Sequence, residues 1–261
     1  MNNKRINNKE VKSHIQMPKL LLKRFHNASN KFFYYDVVGS FIGNNGTAES
    51  TNTELGYYSV ETENYFRDNI ETPFGEIVSY VEKIGFEKES LSIDSNIRDT
   101  VKNFLYALIA RSPSLVNSMS EESDFIQLLP EQNRHDYVAK VGIGIAKEQG
   151  VFSEYIVTFI INRTDVPFVL SVDGLYNYRL NQHYVINLPI SPTAAIALIH
   201  EGYSSRVLHE DGAISMFEIN EREKIMSMNE YAFSAQIKHH WGRVVCPHRE
   251  ELERLKAKFD K

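Results

Sequence analysis

KFFYYDVV, residues 31–38, is the stretch that decides how this chain folds. It is dense in aromatic and β-branched residues, which favour a β-strand. The residues from about 59 to 150 have helical patterns, so the other strand-like segments lie after residue 150. The strand at 31–38 must find its partner among them. We therefore expect one interlocked domain over residues 12–261 rather than two separate domains.

The helical part of the chain covers about 59–150. Apolar residues recur there at the spacing of amphipathic helices. Helices are expected over roughly 60–84, 94–111, 114–129 and 132–149. Pro73 lies inside the first of these patterns, and because proline has no N–H to donate, it predicts a kink or break near Thr72. The preceding stretch, 39–56, is rich in Gly, Ser, Thr and Asn and predicts a loop.

The part from about 151 to 261 contains short apolar and β-branched runs separated by turn residues. Strands are expected over 154–163, 167–172, 184–191, 195–201, 213–219 and 243–246, and helices over about 221–239 and 248–259. The first two strands are expected to be neighbours joined by a turn. Because helices come first and strands cluster later, the predicted class is α+β, with a helical N-terminal half packed on a largely antiparallel sheet formed mainly by the C-terminal half.

Positive charge gathers at the two ends of the chain, although the net charge is −5. Residues 1–34 hold eight Lys and Arg against one acid, Glu10, and the segment from Lys238 is rich in Lys, Arg and His. We interpret residues 1–11, which are polar and Asn-rich, as a flexible basic arm. Such ends could present a positive face to nucleic acid; the alternative is a solubilising tail and a solvated last helix.

The chain is expected to be a cytoplasmic protein. Its longest apolar runs are too short to cross a bilayer, and its N-terminus lacks the apolar core of a signal peptide, so no membrane partner is expected. The single cysteine, Cys246, excludes an internal disulfide and favours a reducing compartment. The sequence identifies no protein partner and no oligomeric state.

Several familiar catalytic signatures are missing from the sequence, among them the phosphate loop, the nucleophile elbow and the dinucleotide fingerprint. The densest group of chemically active side chains is His239, His240, Cys246 and His248, which could bind a transition metal. Two adjacent histidines point apart on a helix, however, which disfavours a shared metal. Cys246 is expected to be a small buried hydrophobic residue rather than a nucleophile.

Four polar residues stand out as candidates for a site: His14, Glu71, Arg111 and Asp173. Asp173 ends an apolar strand, where enzymes often place a base or ligand, although an Asx-turn that fixes the strand exit is the commoner role of an aspartate there. Glu71 lies beside the predicted helix break and could face inward there or remain solvated. Arg111 ends an apolar helix, where a cation suits the helix dipole but could also pair with a carboxylate or phosphate.

The order of short motifs along the chain resembles the bacterial domain-of-unknown-function family 4238. The matching residues are His14, Pro18, Leu22, Phe25, Tyr35, Asp36, Ile70, Glu71, Arg111, Pro113, Ser171, Asp173, Leu188, Pro189, Ser191, Pro192, Asn229 and Ala235. The resemblance spans nearly the whole chain. It implies no activity, because a fold-level likeness does not supply function.

Two hypotheses follow for the four candidate residues. In the first, His14, Glu71, Arg111 and Asp173 converge in a cleft between the helical half and the sheet, and hydrolyse a phosphodiester of nucleic acid, as in a toxin or phage-defence effector. His14 would be a general base or metal ligand, the carboxylates a base or ligands of a divalent metal, and Arg111 an anion clamp. In the second, the same residues form a buried structural network with an ion pair at Arg111, in a non-catalytic module that binds a ligand or partner.

Overall fold

The computed structural model describes residues 12–87, 93–172, 174–180, 183–206, 214 and 216–260. Asp173 and the predicted arm at 1–11 therefore lie outside the described residues. The helices are α1 (Lys19–Arg24), α2 (Val60–Phe66), α3 (Thr72–Glu87), α4 (Ser95–Ala110), α5 (Pro113–Glu122), α6 (Asp124–Gln127), α7 (Glu131–Glu148), α8 (Arg222–Lys238) and α9 (Arg249–Phe259). The strands are β1 (Lys12–His14), β2 (Phe32–Asp36), β3 (Phe41–Gly46), β4 (Thr53–Leu55), β5 (Tyr155–Asn162), β6 (Leu170–Ser171), β7 (Tyr176–Leu180), β8 (His183–Ser191), β9 (Ala194–His200), β10 (Phe217–Ile219) and β11 (Arg243–Cys246).

The strands form three sheets within the described residues. A five-stranded sheet has the order β10-β5-β9-β8-β7, a four-stranded sheet the order β3-β2-β11-β6, and β1 pairs with β4 alone. The pairing is antiparallel except between β10 and β5, which are parallel. The α+β class and the largely antiparallel pairing are thus confirmed. The predicted division into a helical N-terminal half and a late sheet is wrong in detail, because β1 to β4 all lie before residue 56.

The stretch 31–38 forms β2, and its partner β11 lies beyond residue 150, as expected. Its second partner is β3, which lies inside the stretch predicted as a loop, so that prediction is wrong. The glycines that suggested a loop serve close packing instead. A Cβ on Gly43 would lie 2.2 Å from Cζ of Tyr34, and one on Gly46 would lie 2.3 Å from a ring carbon of Phe32. Glycine is needed there because the aromatic rings of β2 lie directly against the backbone of β3.

The strands β5 and β6 are not neighbours, contrary to the prediction for 154–163 and 167–172. They belong to different sheets, and β6 is only two residues long. The connecting backbone is held by two buried asparagine side chains rather than by an adjacent strand. Asn162 donates to the Val166 carbonyl at 2.7 Å, and Asn229 accepts from the Val169 N–H at 3.0 Å. The polar groups of this segment are therefore satisfied without a strand ladder.

The break predicted in the first long helix is present as a π-helical turn over Arg67–Glu71, between α2 and α3. The Thr72 N–H donates to the Arg67 carbonyl, five residues back, which widens the turn. Pro73 follows at once and has no N–H to close a normal helical bond to Asn69. The wider turn ends at Glu71, which is thereby placed at an irregular point of the helix.

One large apolar cluster joins the early helices to the late strands. It includes Phe74 and Phe104, whose rings stack at 3.6 Å between centroids, together with Phe159 of the five-stranded sheet. The short helix α1 contributes Leu21 and Leu22 and packs against β8. The N-terminal segment is thus held against the body of the protein by apolar burial, the largest favourable term in folding.

Candidate functional site

A cleft of about 680 Å³ lies between the N-terminal segment and the helix that contains the π-helical turn. One wall is formed by β1 and α1, and the other by α2, the turn Arg67–Glu71 and the start of α3. Its charged and titratable lining residues are Lys12, His14, Lys19, Lys23, Glu49, Glu63, Arg67 and Glu71. The cleft therefore lies among elements of the N-terminal part. It was expected between the helical half and the sheet, but no described residue of the five-stranded sheet lines it.

The position of β1 is set by hydrogen bonds from three other segments. The strand pairs with β4, and the Ile15 N–H continues this pairing by donating to the Asn52 carbonyl at 2.8 Å. The buried Ser13 hydroxyl accepts the Tyr58 N–H at 3.1 Å. Because adjacent side chains of a strand point to opposite faces, burial of Ser13 directs His14 toward the cleft.

Arg111 is a fully buried cation that ties β1 to the end of the π-helical turn. Its guanidinium donates to the Glu71 carboxylate at 2.7 Å and to the His14 carbonyl at 2.6 Å. It also lies over the Phe66 ring, 4.5 Å from the centroid. Burial of a charge is expensive unless it is paired and hydrogen-bonded, and these contacts supply the pairing.

The guanidinium of Arg111 does not line the cleft, and its side chain is only 2% exposed. The anion-clamp role predicted for Arg111 requires contact with a substrate, which this burial prevents. The Glu71 side chain keeps 19% exposure and does line the cleft. Arg111 therefore positions the Glu71 carboxylate and the backbone of His14 from the buried side of the cleft wall.

The His14 imidazole has a defined tautomer. Its Nε2 lies 2.6 Å from the Ala48 carbonyl, which can only accept, so Nε2 carries the proton and Nδ1 is an acceptor. Burial lowers the pKa of His14 from its ordinary value, and Arg111 acts in the same direction. The hydrogen bond to Ala48 opposes this without reversing it. The imidazole is therefore neutral near pH 7, with an unprotonated Nδ1 that accepts no hydrogen bond from any described residue.

Glu63 is a cleft residue that sequence reasoning missed. Burial raises the pKa of its carboxyl, while Arg111 and Ser13 act to lower it. Its Oε1 is buried and has no hydrogen-bond partner among the described residues. A carboxyl in this setting retains its proton at a higher pH than an exposed glutamate does.

A signal for Glu63 was present in the sequence. The cleft-facing residues Val60, Glu63, Asn64, Arg67 and Glu71 follow the i, i+3, i+4, i+7, i+11 spacing of one helix face. Most of them are polar, so they resemble a solvated helix face, which is the usual meaning of such a stripe. Only the fold of β1 and α1 over this face reveals it as the wall of a cleft.

The basic N-terminal residues supply the rim of the cleft. Lys19 pairs with Glu49 at 3.0 Å, and Arg67 across the cleft pairs with Asp68 at 2.8 Å. Lys12 and Lys23 have no ion-pair partner within the described ranges. Their ammonium groups are therefore available to an anionic ligand.

Three of the four predicted site residues come together, while the fourth cannot be placed. His14 and Glu71 line the cleft, and Arg111 lies beneath it. Asp173 lies outside the described residues. Other motif residues form structural contacts, such as Asp36, which accepts from Arg243 at 3.2 Å.

The histidine-rich segment near the C-terminus contributes to the core and to a different surface. Cys246 is fully buried, as predicted, and burial raises the pKa of its thiol. Among the described residues, no group of three or more His, Cys, Asp or Glu is arranged to hold a metal ion. His239 lies instead with Trp241 on a second cavity of about 390 Å³.

Comparison with known proteins gives no match to this chain among family models, curated proteins or solved structures. The resemblance to domain-of-unknown-function family 4238 therefore stays a prediction. Within the described ranges, no helix has the length and apolar character needed to cross a membrane. Function has to be argued from the residues of the cleft.

Proposed function

We propose that the chain hydrolyses phosphodiester bonds of nucleic acid in the cleft between β1–α1 and α2–α3. The observation that carries this proposal is the combination of a neutral imidazole, two carboxyl groups and a lysine-bearing rim in one open cleft. Nucleic-acid ligands are bound chiefly through their phosphates, which Lys and Arg neutralise. Lys12 and Lys23 fit that requirement because no described carboxylate pairs with them.

The acid and base groups differ in their environments, which is the pattern expected of a pair with opposite roles. His14 presents an unprotonated Nδ1 and suits a general base. Glu63 holds its proton to higher pH because it is buried, and suits a general acid. Glu71 is paired with Arg111 and suits the orientation of a substrate hydroxyl or of the imidazole.

A matched pair of glutamate variants tests the proposal. Glu63→Gln removes the proton donor, whereas Glu61→Gln changes a neighbouring helix glutamate whose side chain is 85% exposed. We expect the first to slow cleavage of a labelled oligonucleotide by about 10²-fold or more and the second to leave it unchanged. Equal activity of Glu63→Gln and the wild type would remove Glu63 from the mechanism.

A growth assay addresses the biological setting. We propose that the protein acts as a toxin or phage-defence effector, in which case expression in a bacterial host arrests growth and degrades cellular nucleic acid. The Glu63→Gln variant should relieve the arrest at equal protein level, and Glu61→Gln should not. Normal growth on expression of soluble, folded wild-type protein would speak against that setting.

A second candidate function is supported by the burial of Arg111. The ion pair of the buried Arg111 with Glu71 matches a structural network, and the cleft would then bind an anionic ligand or partner without chemistry. Under this alternative, Glu63→Gln and His14→Asn retain ligand binding, and no variant or wild-type protein cleaves any oligonucleotide. Measurement of binding and cleavage on the same samples separates the two functions.

A further inference from the structure

We infer that the substrate class of this cleft is RNA, cleaved by attack of its own 2′-hydroxyl on the adjacent phosphate, an inference that rests on the proposed phosphodiester activity. The groups that carry it are the His14 imidazole, the Glu63 carboxyl and the rim lysines, all of which line one cleft. They provide a proton acceptor, a proton donor and cations for phosphates, which are the groups that this reaction requires.

The first step balances with the groups present. The 2′-O–H proton passes to Nδ1 of His14 while the 2′-oxygen forms a bond to phosphorus. The bond from phosphorus to the 5′-oxygen breaks, and the Glu63 carboxyl gives its proton to that oxygen. The products are a 2′,3′-cyclic phosphate and a free 5′-hydroxyl.

The second step hydrolyses the cyclic phosphate and returns His14 and Glu63 to their starting protonation states. The Glu63 carboxylate takes a proton from water as the water oxygen bonds to phosphorus. The bond from phosphorus to the 2′-oxygen then breaks, and the His14 imidazolium returns its proton to that oxygen. The sum of the two steps is hydrolysis, in agreement with the proposed function.

RNA is favoured over DNA because RNA contains its own nucleophile. An oriented intramolecular nucleophile has an effective concentration of about 10⁵–10⁸ M, so acid–base groups and cations can supply the remaining stabilisation. DNA lacks the 2′-hydroxyl, so the first bond cleavage in DNA would need an intermolecular nucleophile and would lose this advantage. The 2′-hydroxyl is also the group by which a protein distinguishes RNA from DNA.

The charges around the two groups are compatible with these roles. Burial is the main cause of the lowered pKa of His14, and the charges of Arg111 and Lys19 add to it. The hydrogen bond to Ala48 and the charge of Glu71 oppose this without reversing it, so the imidazole is unprotonated before substrate binds. Burial is the main cause of the raised pKa of Glu63, while Arg111 and Ser13 act to lower it. The charges of Glu71 and Asp136 add to the effect of burial. Lys12 and Lys23 lie at the rim, where their ammonium groups can contact phosphates of a bound RNA.

Three oligonucleotides of one sequence test the inference with the wild-type chain alone: RNA, DNA and 2′-O-methyl RNA. We expect cleavage of RNA to fragments that end first in a 2′,3′-cyclic phosphate and then in a 3′-phosphate. The DNA and the 2′-O-methyl RNA should be bound but cleaved at least about 10²-fold more slowly. Equal cleavage of DNA or of 2′-O-methyl RNA would overturn the inference and leave the proposed phosphodiester activity standing.

Failure of the proposed function gives a different result in the same experiment. If none of the three oligonucleotides is cleaved, both the inference and the proposed activity fail, whether or not they bind. The Glu63→Gln variant adds a second readout on RNA. Its rate should lose the decline at high pH that deprotonation of Glu63 causes in the wild type, while Glu61→Gln keeps that decline. An unchanged pH profile in Glu63→Gln would contradict the donor role.

Discussion

Replacement of Arg111 by methionine should destabilise the protein by about 3 kcal/mol, because it breaks a buried ion pair from one side. Arg111 is only 2% exposed at its side chain, and its removal leaves the partly buried Glu71 carboxylate without its cation. It also leaves the His14 carbonyl without the donor now 2.6 Å away. Methionine fills much of the same space with apolar atoms, which limits the loss of packing.

The magnitude follows from how far each partner is buried. Removal of one partner of a buried pair typically costs about 3–5 kcal/mol. Because Glu71 retains 19% exposure, water can solvate it in part, and we expect the lower end of that range. The control is Arg67→Met. Arg67 forms an ion pair with Asp68 in which the two side chains are 61% and 59% exposed, so its replacement should change the free energy of unfolding by no more than about 0.5 kcal/mol.

The assay is urea unfolding at pH 7 of the wild type, Arg111→Met, Glu71→Leu and the double variant. If the pair is coupled, the double variant should be more stable than the sum of the two single effects predicts, by about 1–3 kcal/mol. A loss below about 1 kcal/mol in Arg111→Met, in the range of an exposed pair, would refute the reasoning that the buried pair holds β1 against the helix.

The remaining predictions concern packing, pH and a buried amide. Gly43→Ala should lower the free energy of unfolding by about 1–3 kcal/mol because the added Cβ would overlap the Tyr34 ring. Gly144→Ala should raise it by about 0.5–1 kcal/mol because no atom lies within 4 Å of the added Cβ. Thermal unfolding of both variants measures the two effects. Burial lowers the pKa of both His14 and His26, so the unfolded chain takes up protons at a higher pH than the folded protein, and the free energy of unfolding should fall as the pH drops below the ordinary value of 6.5. In a His14→Asn/His26→Asn double variant the free energy of unfolding should depend less steeply on pH. An unchanged pH dependence would exclude these two imidazoles as its cause. Asn229→Ala should lower the free energy of unfolding by about 2–4 kcal/mol because the Val169 N–H and the Glu251 carboxylate lose a buried hydrogen-bond partner. A loss of less than about 1 kcal/mol, measured by denaturant unfolding, would contradict this.

Much of the fold could be predicted where local pattern and tertiary packing agree. The break before Pro73 follows from the missing N–H of proline. The polar pair Asp94 and Ser95 marks the start of α4, and in the structure the Asp94 carboxylate accepts the Ile97 N–H at 2.8 Å. The hairpin β8–β9 follows from two apolar runs separated by a turn. In each of these cases a few residues that are adjacent in sequence determine the local structure.

The predictions that failed depend on contacts between distant segments. The glycines of β3 look like loop residues until the rings of β2 lie against them. The strand expected at 167–172 is shortened because Asn162 and Asn229 take up its neighbouring backbone groups from other elements. Neither effect can be read from the segment itself. The rings that contact Gly43 and Gly46 belong to the preceding strand β2. Asn162 also donates to the Pro192 carbonyl 30 residues away, and Asn229 lies 60 residues from Val169.

In the candidate site, too, some features could be predicted from local sequence and others depend on the tertiary fold. Arg111 and Glu71 were singled out because a cation at a helix end and a carboxylate at a helix break both suggest pairing, and they do pair at 2.7 Å. The burial of Arg111, which removes it from contact with a ligand, depends on β1 and on the Phe66 ring and could not be foreseen. Glu63 was missed because its surroundings, and not its neighbours in sequence, set the protonation of its carboxyl.

The most direct test of the account is the cleavage of labelled single-stranded RNA by His14→Asn and His200→Asn in parallel with the wild type. His14 lines the cleft, whereas the His200 side chain is 45% exposed and pairs with Glu154 in the five-stranded sheet region. The account predicts that the wild type and His200→Asn cleave at the same rate and that His14→Asn is slower by about 10²-fold or more while remaining folded. Cleavage by folded His14→Asn at the wild-type rate would contradict the claim that this cleft is the active site.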